Sequence, residues 1–334
     1  MSYLVRSGYD QFSLLRQREP IEDILKRKDL KPNERQKLEL TLHVRDFGVK
    51  HLGLKEAKSY RTYVDIERPF VTYIVTVAEK WRLEPKLYWY PLVGKLPYKG
   101  YFSKADAEQE AAQFDREKYD VMVRGVTAYS TLGWFEDPLL SSMISGEDHH
   151  LVNLIFHESA HATMYFKSQA DFNEQLATFV GNTGTELYYT QTEGPTSPTL
   201  LKIANENHDE KKFSQFISGE LKSLKVWYEE LKNKDESLRQ TRFQEIQNRF
   251  QKEVLPQLKT DAYKGFAKAK LSNASLLYLK TYIYELSEFQ KLYDHLHKDM
   301  KAFLKFCKTL EHEKDPHHKI QSYLSSAPAA SNGP

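Results

Sequence analysis

From Leu151 to Met164 apolar positions recur every three or four residues: Leu151, Val152, Ile155, Phe156, Ala160, Thr163 and Met164. That spacing predicts an amphipathic helix, and no Pro or Gly interrupts it before Lys167. Ser145 and Asp148 offer a capping pair at its start. Upstream, Leu14, Ile21, Ile24, Leu25, Leu38, Leu40 and Leu42 give helical spacing over 10–58, broken by Pro20 and Pro32. The β-branched run Val71–Val77 predicts a strand, and Tyr88–Val93 a second one. Ala107, Ala111 and Phe114 mark a helix over 103–118. Val121 and Val123, with a shift at Gly125, suggest a third strand with a bulge or a close backbone approach.

From Asn205 the period becomes helical throughout. Phe213 to Leu231 forms one amphipathic stretch, Phe243 to Val254 another that stops near Pro256, and Leu276 to Leu310 one or two more. These patterns predict an α+β chain with a small β-sheet and a predominantly helical C-terminal part. The expected division is 1–195 for the N-terminal helices and catalytic core, 196–324 for a helical subdomain closing the cleft, and 325–334 for a disordered tail.

The first predicted helix carries His157-Glu158-Ser159-Ala160-His161. Residues i and i+4 share a helix face, so both imidazoles can reach one metal ion. Glu158 projects about 100° further round, where a general base for a zinc-activated water must stand. Catalytic zinc needs a third protein ligand and an open position. Glu174 is the candidate, in the first turn of a second helix that Asp171 would cap. Asp171 and Glu174 also make a capping-box pattern, which accounts for the glutamate without a metal.

These blocks resemble a known family. Phe156-His157-Glu158-Ser159-Ala160-His161 and Phe172-Asn173-Glu174-Gln175-Leu176-Ala177 are similar to those of the bacterial "putative zinc aminopeptidases", gluzincin-type metallopeptidases. So are Ala128–Phe135, Asp137–Leu140, Val93-Gly94 and Pro97–Phe102, with weaker echoes at Ser59–Tyr63, Asn273-Ala274 and Thr281-Tyr282. The resemblance implies a zincin-like core, Zn2+ held by His157, His161 and Glu174, and Glu158 as catalytic base. Tyr282, which matches a family position and lies on an otherwise apolar helix face, is the candidate to steady the oxyanion, with Tyr129 as runner-up. Two family features are missing: an acidic residue where this chain has Val180-Gly181, and a G-x-M-E-N segment that would bind a free amine. Glu136 and Asp137 are the nearest acidic candidates for that amine.

Zinc peptidases of this build hold extended substrate along an exposed edge strand. Gly125 and Tyr129 are the candidates for such an edge, with Asn273 contacting the substrate backbone. The alternative is a zinc-binding protein that binds peptides or partners without cleaving them; exo- and endopeptidase readings both stand.

Composition narrows the partners. A net charge of +2 gives no field to recruit nucleic acid or acidic lipid. Cys307 is the single cysteine, which excludes an internal disulfide and a zinc–thiolate cluster. No apolar run reaches the roughly 18–20 residues of a membrane span, and no signal peptide is visible. The expected partner is a peptide or protein substrate, and the sequence does not fix the oligomeric state. The resemblance implies a periplasmic or cell-envelope location, with the cytoplasm also compatible. His149-His150 and His317-His318 are adjacent pairs that point to different sides of a helix, so neither pair is a ligand candidate.

Overall fold

The computed structural model describes residues 3–56, 58–90, 94–128, 136–167, 169–280 and 286–326. The fold is mixed α and β, helices predominating over small sheets. Two contiguous domains parting near residue 195 were expected. The compact units are instead assembled from separated stretches. One takes 1–69, 127–197 and 285–334; the other takes 70–126 and 198–284. The break at 197/198 falls near the expected one, but the helices of 198–284 share a unit with the strands of 70–126, while the helices from 285 onward belong to the first unit.

The first unit is built around two helices. Asp148–Thr163 is the motif helix and Ala170–Glu193 the glutamate helix. The motif helix buries Leu151, Val152, Ile155 and Phe156, the stripe read from the sequence. Its start departs from expectation. Glu147 occupies the N-cap position, and its side chain makes no capping hydrogen bond. Asp148 sits in the first turn, where the helix dipole favours a carboxylate, and pairs with the buried Lys37 at 2.6 Å. Lys37 Nζ also donates to Gly146 O at 2.5 Å, tying the helix start to Pro32–Phe47. A short sheet places Thr62–Val64 between Glu19–Pro20, antiparallel, and Leu139–Leu140, parallel.

The glutamate helix is the other half of this core. Phe172 and Phe179 pack on Phe289, and Phe179 also on Phe303. These contacts anchor the helices Ser287–His295 and Met300–Lys308. The positive φ of His297 and Lys298, followed by the Asp299 cap, divides those two helices.

In the second unit Thr72–Glu79 is the central strand of an antiparallel sheet, between Tyr98–Tyr101 and Tyr119–Val126. Helix Lys104–Ala112 covers one face through Val75, Val77, Ala107 and Ala111. Helix Asn273–Lys280 contributes Ala274 and Leu277, packed with Ala78. The 33-residue helix Pro198–Glu230 and the helix Glu236–Arg249 form a separate core with Phe213, Ile217, Leu224, Phe243, Ile246 and Phe250.

Candidate metal centre

The motif helix and the glutamate helix run antiparallel, and a turn at Phe166 follows the motif helix. Asn173 fixes that turn. Its Oδ1 accepts the Phe166 N–H at 2.8 Å and its Nδ2 donates to the Phe166 carbonyl at 2.7 Å. Gln169, not Asp171, takes the N-cap position, and its side chain makes no capping hydrogen bond. Glu174 is therefore not the partner of an Asp171 capping box.

Further along, glycines let the helices approach. A Cβ at Gly181 would stand 3.1 Å from Asn153 Oδ1, 3.2 Å from Asn153 O and 3.3 Å from His157 Cβ. One at Gly184 would stand 2.9 Å from Phe156 Cδ2 and from Leu52 Cδ1. Asn153 Nδ2 donates to Asn182 Oδ1 at 2.8 Å across the same seam. The acidic residue missing at Gly181 has a steric reason: that position faces main chain and the His157 Cβ.

This packing brings His157, His161 and Glu174 together. The two imidazole Nε2 atoms lie 3.2 Å apart. His157 Nε2 is 3.6 Å from Glu174 Oε2, and His161 Nε2 is 3.4 Å from Glu174 Oε1. The three donors form a compact set able to hold one metal ion. Burial works against the Glu174 carboxylate, but hydrogen bonds and charge from both histidines hold it well below the usual carboxylate range. Burial likewise opposes the His161 imidazolium, yet Glu174, with Glu158 nearby, raises its pKa above the ordinary value. The two directions are the two halves of one pairing, an ionised carboxylate facing imidazoles that it makes more receptive to positive charge. Glu158 Oε2 is buried and has no hydrogen-bond partner among the described residues.

Tyr165, in the turn after the motif helix, escaped the sequence analysis. It is 42% exposed. Burial raises its pKa first and the charge of Glu174 second, so its hydroxyl shares the electrostatic neighbourhood of the ligands. The signal was its place between the two metal blocks, masked by 21 tyrosines in the chain.

Tyr129 and Tyr282 lie outside the described residues, as do Trp134 and Phe135. Gly125 belongs to the second unit, in a strand whose register with Thr72–Glu79 runs unbroken. The close-approach expectation describes it and the bulge does not: a Cβ there would lie 2.4 Å from ring atoms of Phe70. Asn273 also belongs to the second unit and is fully buried. It accepts from the Tyr228 hydroxyl at 2.9 Å and donates to Glu79 O at 2.8 Å and Lys80 O at 3.2 Å. Its amide N–H donates to Asp120 at 2.7 Å. These bonds engage its carboxamide inside the unit. Glu136 pairs with Lys58 at 3.0 Å, and Asp137 is buried.

Among the described residues no helix is long and apolar enough to cross a membrane. No curated protein and no solved structure matches the chain. The family model described as "putative aminopeptidase" matches residues 2–321, nearly the whole chain, and the chain belongs to that family.

Proposed function

We propose that this chain is a zinc-dependent peptidase with a zincin-like core in its first unit. The observation that carries the proposal is the donor spacing. Ligand atoms about 2.0–2.2 Å from a tetrahedral zinc stand about 3.3–3.6 Å from one another. Here the two Nε2 atoms stand 3.2 Å apart, and each has its own Glu174 oxygen nearby, Oε1 at 3.4 Å from His161 and Oε2 at 3.6 Å from His157, so the carboxylate faces the imidazole pair within that range. Two imidazoles and one carboxylate are also a donor set of known catalytic zinc sites, which keep a fourth position open.

Zinc bound there would polarise the scissile carbonyl and make water nucleophilic near neutral pH. The chain's own residues do the rest. Glu158 takes the proton from the attacking water at its carboxylate and passes it to the leaving amine. Its buried, unpartnered Oε2 fits that duty, because a buried acceptor without a donor invites a water. The Tyr165 hydroxyl is the described group we assign to donate a hydrogen bond to the developing oxyanion.

The test combines metal content with turnover. About one zinc per chain is expected in the wild type, with most of it lost in Glu174→Ala. Peptide hydrolysis is expected to be chelator-sensitive and abolished in Glu158→Gln, with the metal retained. Zinc in Glu174→Ala at the wild-type level would remove Glu174 from the site. Zinc with peptide binding but no cleavage by the wild type would favour the non-hydrolytic alternative.

A further inference from the structure

The motif helix has a second side. Successive helical residues turn by about 100°, so Ser159 stands about 200° round from His157, away from the metal donors. Phe156 and Ser159, three residues apart, share that side and line a cavity together with Arg45 and Lys55. The rest of its lining is apolar, with Val49 and Leu54 beside Gly48. A Cβ at Gly48 would stand 3.1 Å from Leu54 Cδ1 and 3.3 Å from Phe156 Cε1, so a side chain there would press on that apolar lining. The space, counted with its open mouth, amounts to about 250 Å³.

Hydrogen bonds hold the lining in place. Leu54 N–H donates to Gly48 O at 3.0 Å. Lys55 N–H donates to Thr163 Oγ1 at 2.9 Å, and Thr163 Oγ1 donates to Ser159 O at 2.6 Å. These bonds tie the segment 48–55 to the motif helix at the turn that carries Ser159.

The charge of the cavity is one-sided. Two cations and no carboxylate line it. The stretch 45–61 carries Arg45, Lys50, Lys55, Lys58 and Arg61 against Asp46 and Glu56. Among the described residues Lys55 has no ion pair, and the Ser159 hydroxyl has no hydrogen bond. Arg45 is half-buried. Burial first, and the charge of Arg61 second, hold its pKa below the ordinary value, and Asp46 and Glu56 offset them only in part. An anion beside the guanidinium relieves that cost.

We propose that this cavity binds a small carboxylate with a short alkyl tail, its oxygens on Arg45, Lys55 and Ser159 and its tail against Val49, Leu54 and Phe156. A planar guanidinium matches a carboxylate in shape as well as charge. The apolar lining gives an alkyl tail an advantage over a bare inorganic ion. The inference does not depend on the metal centre.

The experiment titrates carboxyl-labelled isobutyrate into the full chain at fixed ionic strength and follows the labelled resonance. Saturable binding is expected. Acetate should bind about fourfold more weakly, the worth of one buried methylene, and neither isobutyramide nor chloride should compete at equal concentration. Arg45→Gln should weaken isobutyrate about tenfold, the scale of a charge-assisted hydrogen bond. Lys55→Gln changes an exposed side chain and leaves the fold alone; it should weaken isobutyrate about threefold, the scale of an exposed pair. Unchanged affinity in Lys55→Gln and in folded Arg45→Gln would overturn the proposal, because the carboxylate would then sit elsewhere, on a bound metal for instance. Absence of saturable binding would overturn it too. So would equal competition by isobutyramide, which carries no charge, or by chloride, which carries no carboxylate.

Discussion

The carboxamide of Asn173 grips both main-chain groups of Phe166, one through each of its polar atoms, at 2.8 and 2.7 Å. It does for the turn what a short piece of sheet would do. Asn173 immediately precedes Glu174, so the same clamp sets the phase at which the glutamate helix presents its carboxylate to the histidines. Asn173→Ala would leave a buried N–H and a buried carbonyl unpaired, at about 1–3 kcal/mol each. We expect a lower Tm and weaker metal retention together. Calorimetry and metal titration of the variant check this, and a metal affinity unchanged beside a lowered Tm would separate the clamp from the site.

Gly181 tests the missing acid. An aspartate introduced there, as the family resemblance would suggest, has to fit a Cβ 3.1–3.3 Å from Asn153 and His157. Neither the Asn153 carbonyl nor the His157 Cβ can swing away. We expect Gly181→Asp to destabilise the protein by about 1–3 kcal/mol through overpacking and to lower metal content. A variant of wild-type stability that binds metal more tightly would show room for an orienting carboxylate.

The parts of the site that were legible in the sequence are local. The i, i+4 histidines need only one helix, and Phe172-Asn173-Glu174 follows closely enough that a single turn returns it. What was not legible depends on partners distant in the chain. Asp171 looked like a cap, but the Asn173 clamp leaves Gln169 at that position. Asn273 stood out through a family echo, and the bonds that its carboxamide makes to Tyr228, Glu79 and Lys80 join residues far apart in the chain. Gly181 read as a lost acid because the sequence does not show the helix packed against it. The interleaving of 70–126 with 198–284 had no local signature at all.

Asn273→Ala separates a structural role from a substrate contact. It would leave the Tyr228 hydroxyl and the carbonyls of Glu79 and Lys80 without their present partner. Several buried polar groups at about 1–3 kcal/mol each make a large loss. We expect a Tm lowered by several degrees, full zinc content in the folded fraction, and a KM per folded molecule near that of the wild type. A stable variant with a raised KM would return Asn273 to the substrate.

Tyr165→Phe bears on the reaction itself. Tyr165 is an exposed residue, so loss of its hydroxyl costs little packing, and it is not one of the three ligand side chains. A donor that acts only as charge develops on the carbonyl oxygen lowers kcat and leaves substrate binding nearly unchanged. Removing such a donor costs about a hundredfold or more in kcat. We therefore expect kcat to fall by about that factor, with KM, metal content and Tm close to wild type. Steady-state kinetics on a chromogenic peptide read the split. A variant whose KM rises at constant kcat would make Tyr165 a substrate contact, and one that loses zinc would make it a support for Glu174. The fall in kcat alone assigns it to the transition state.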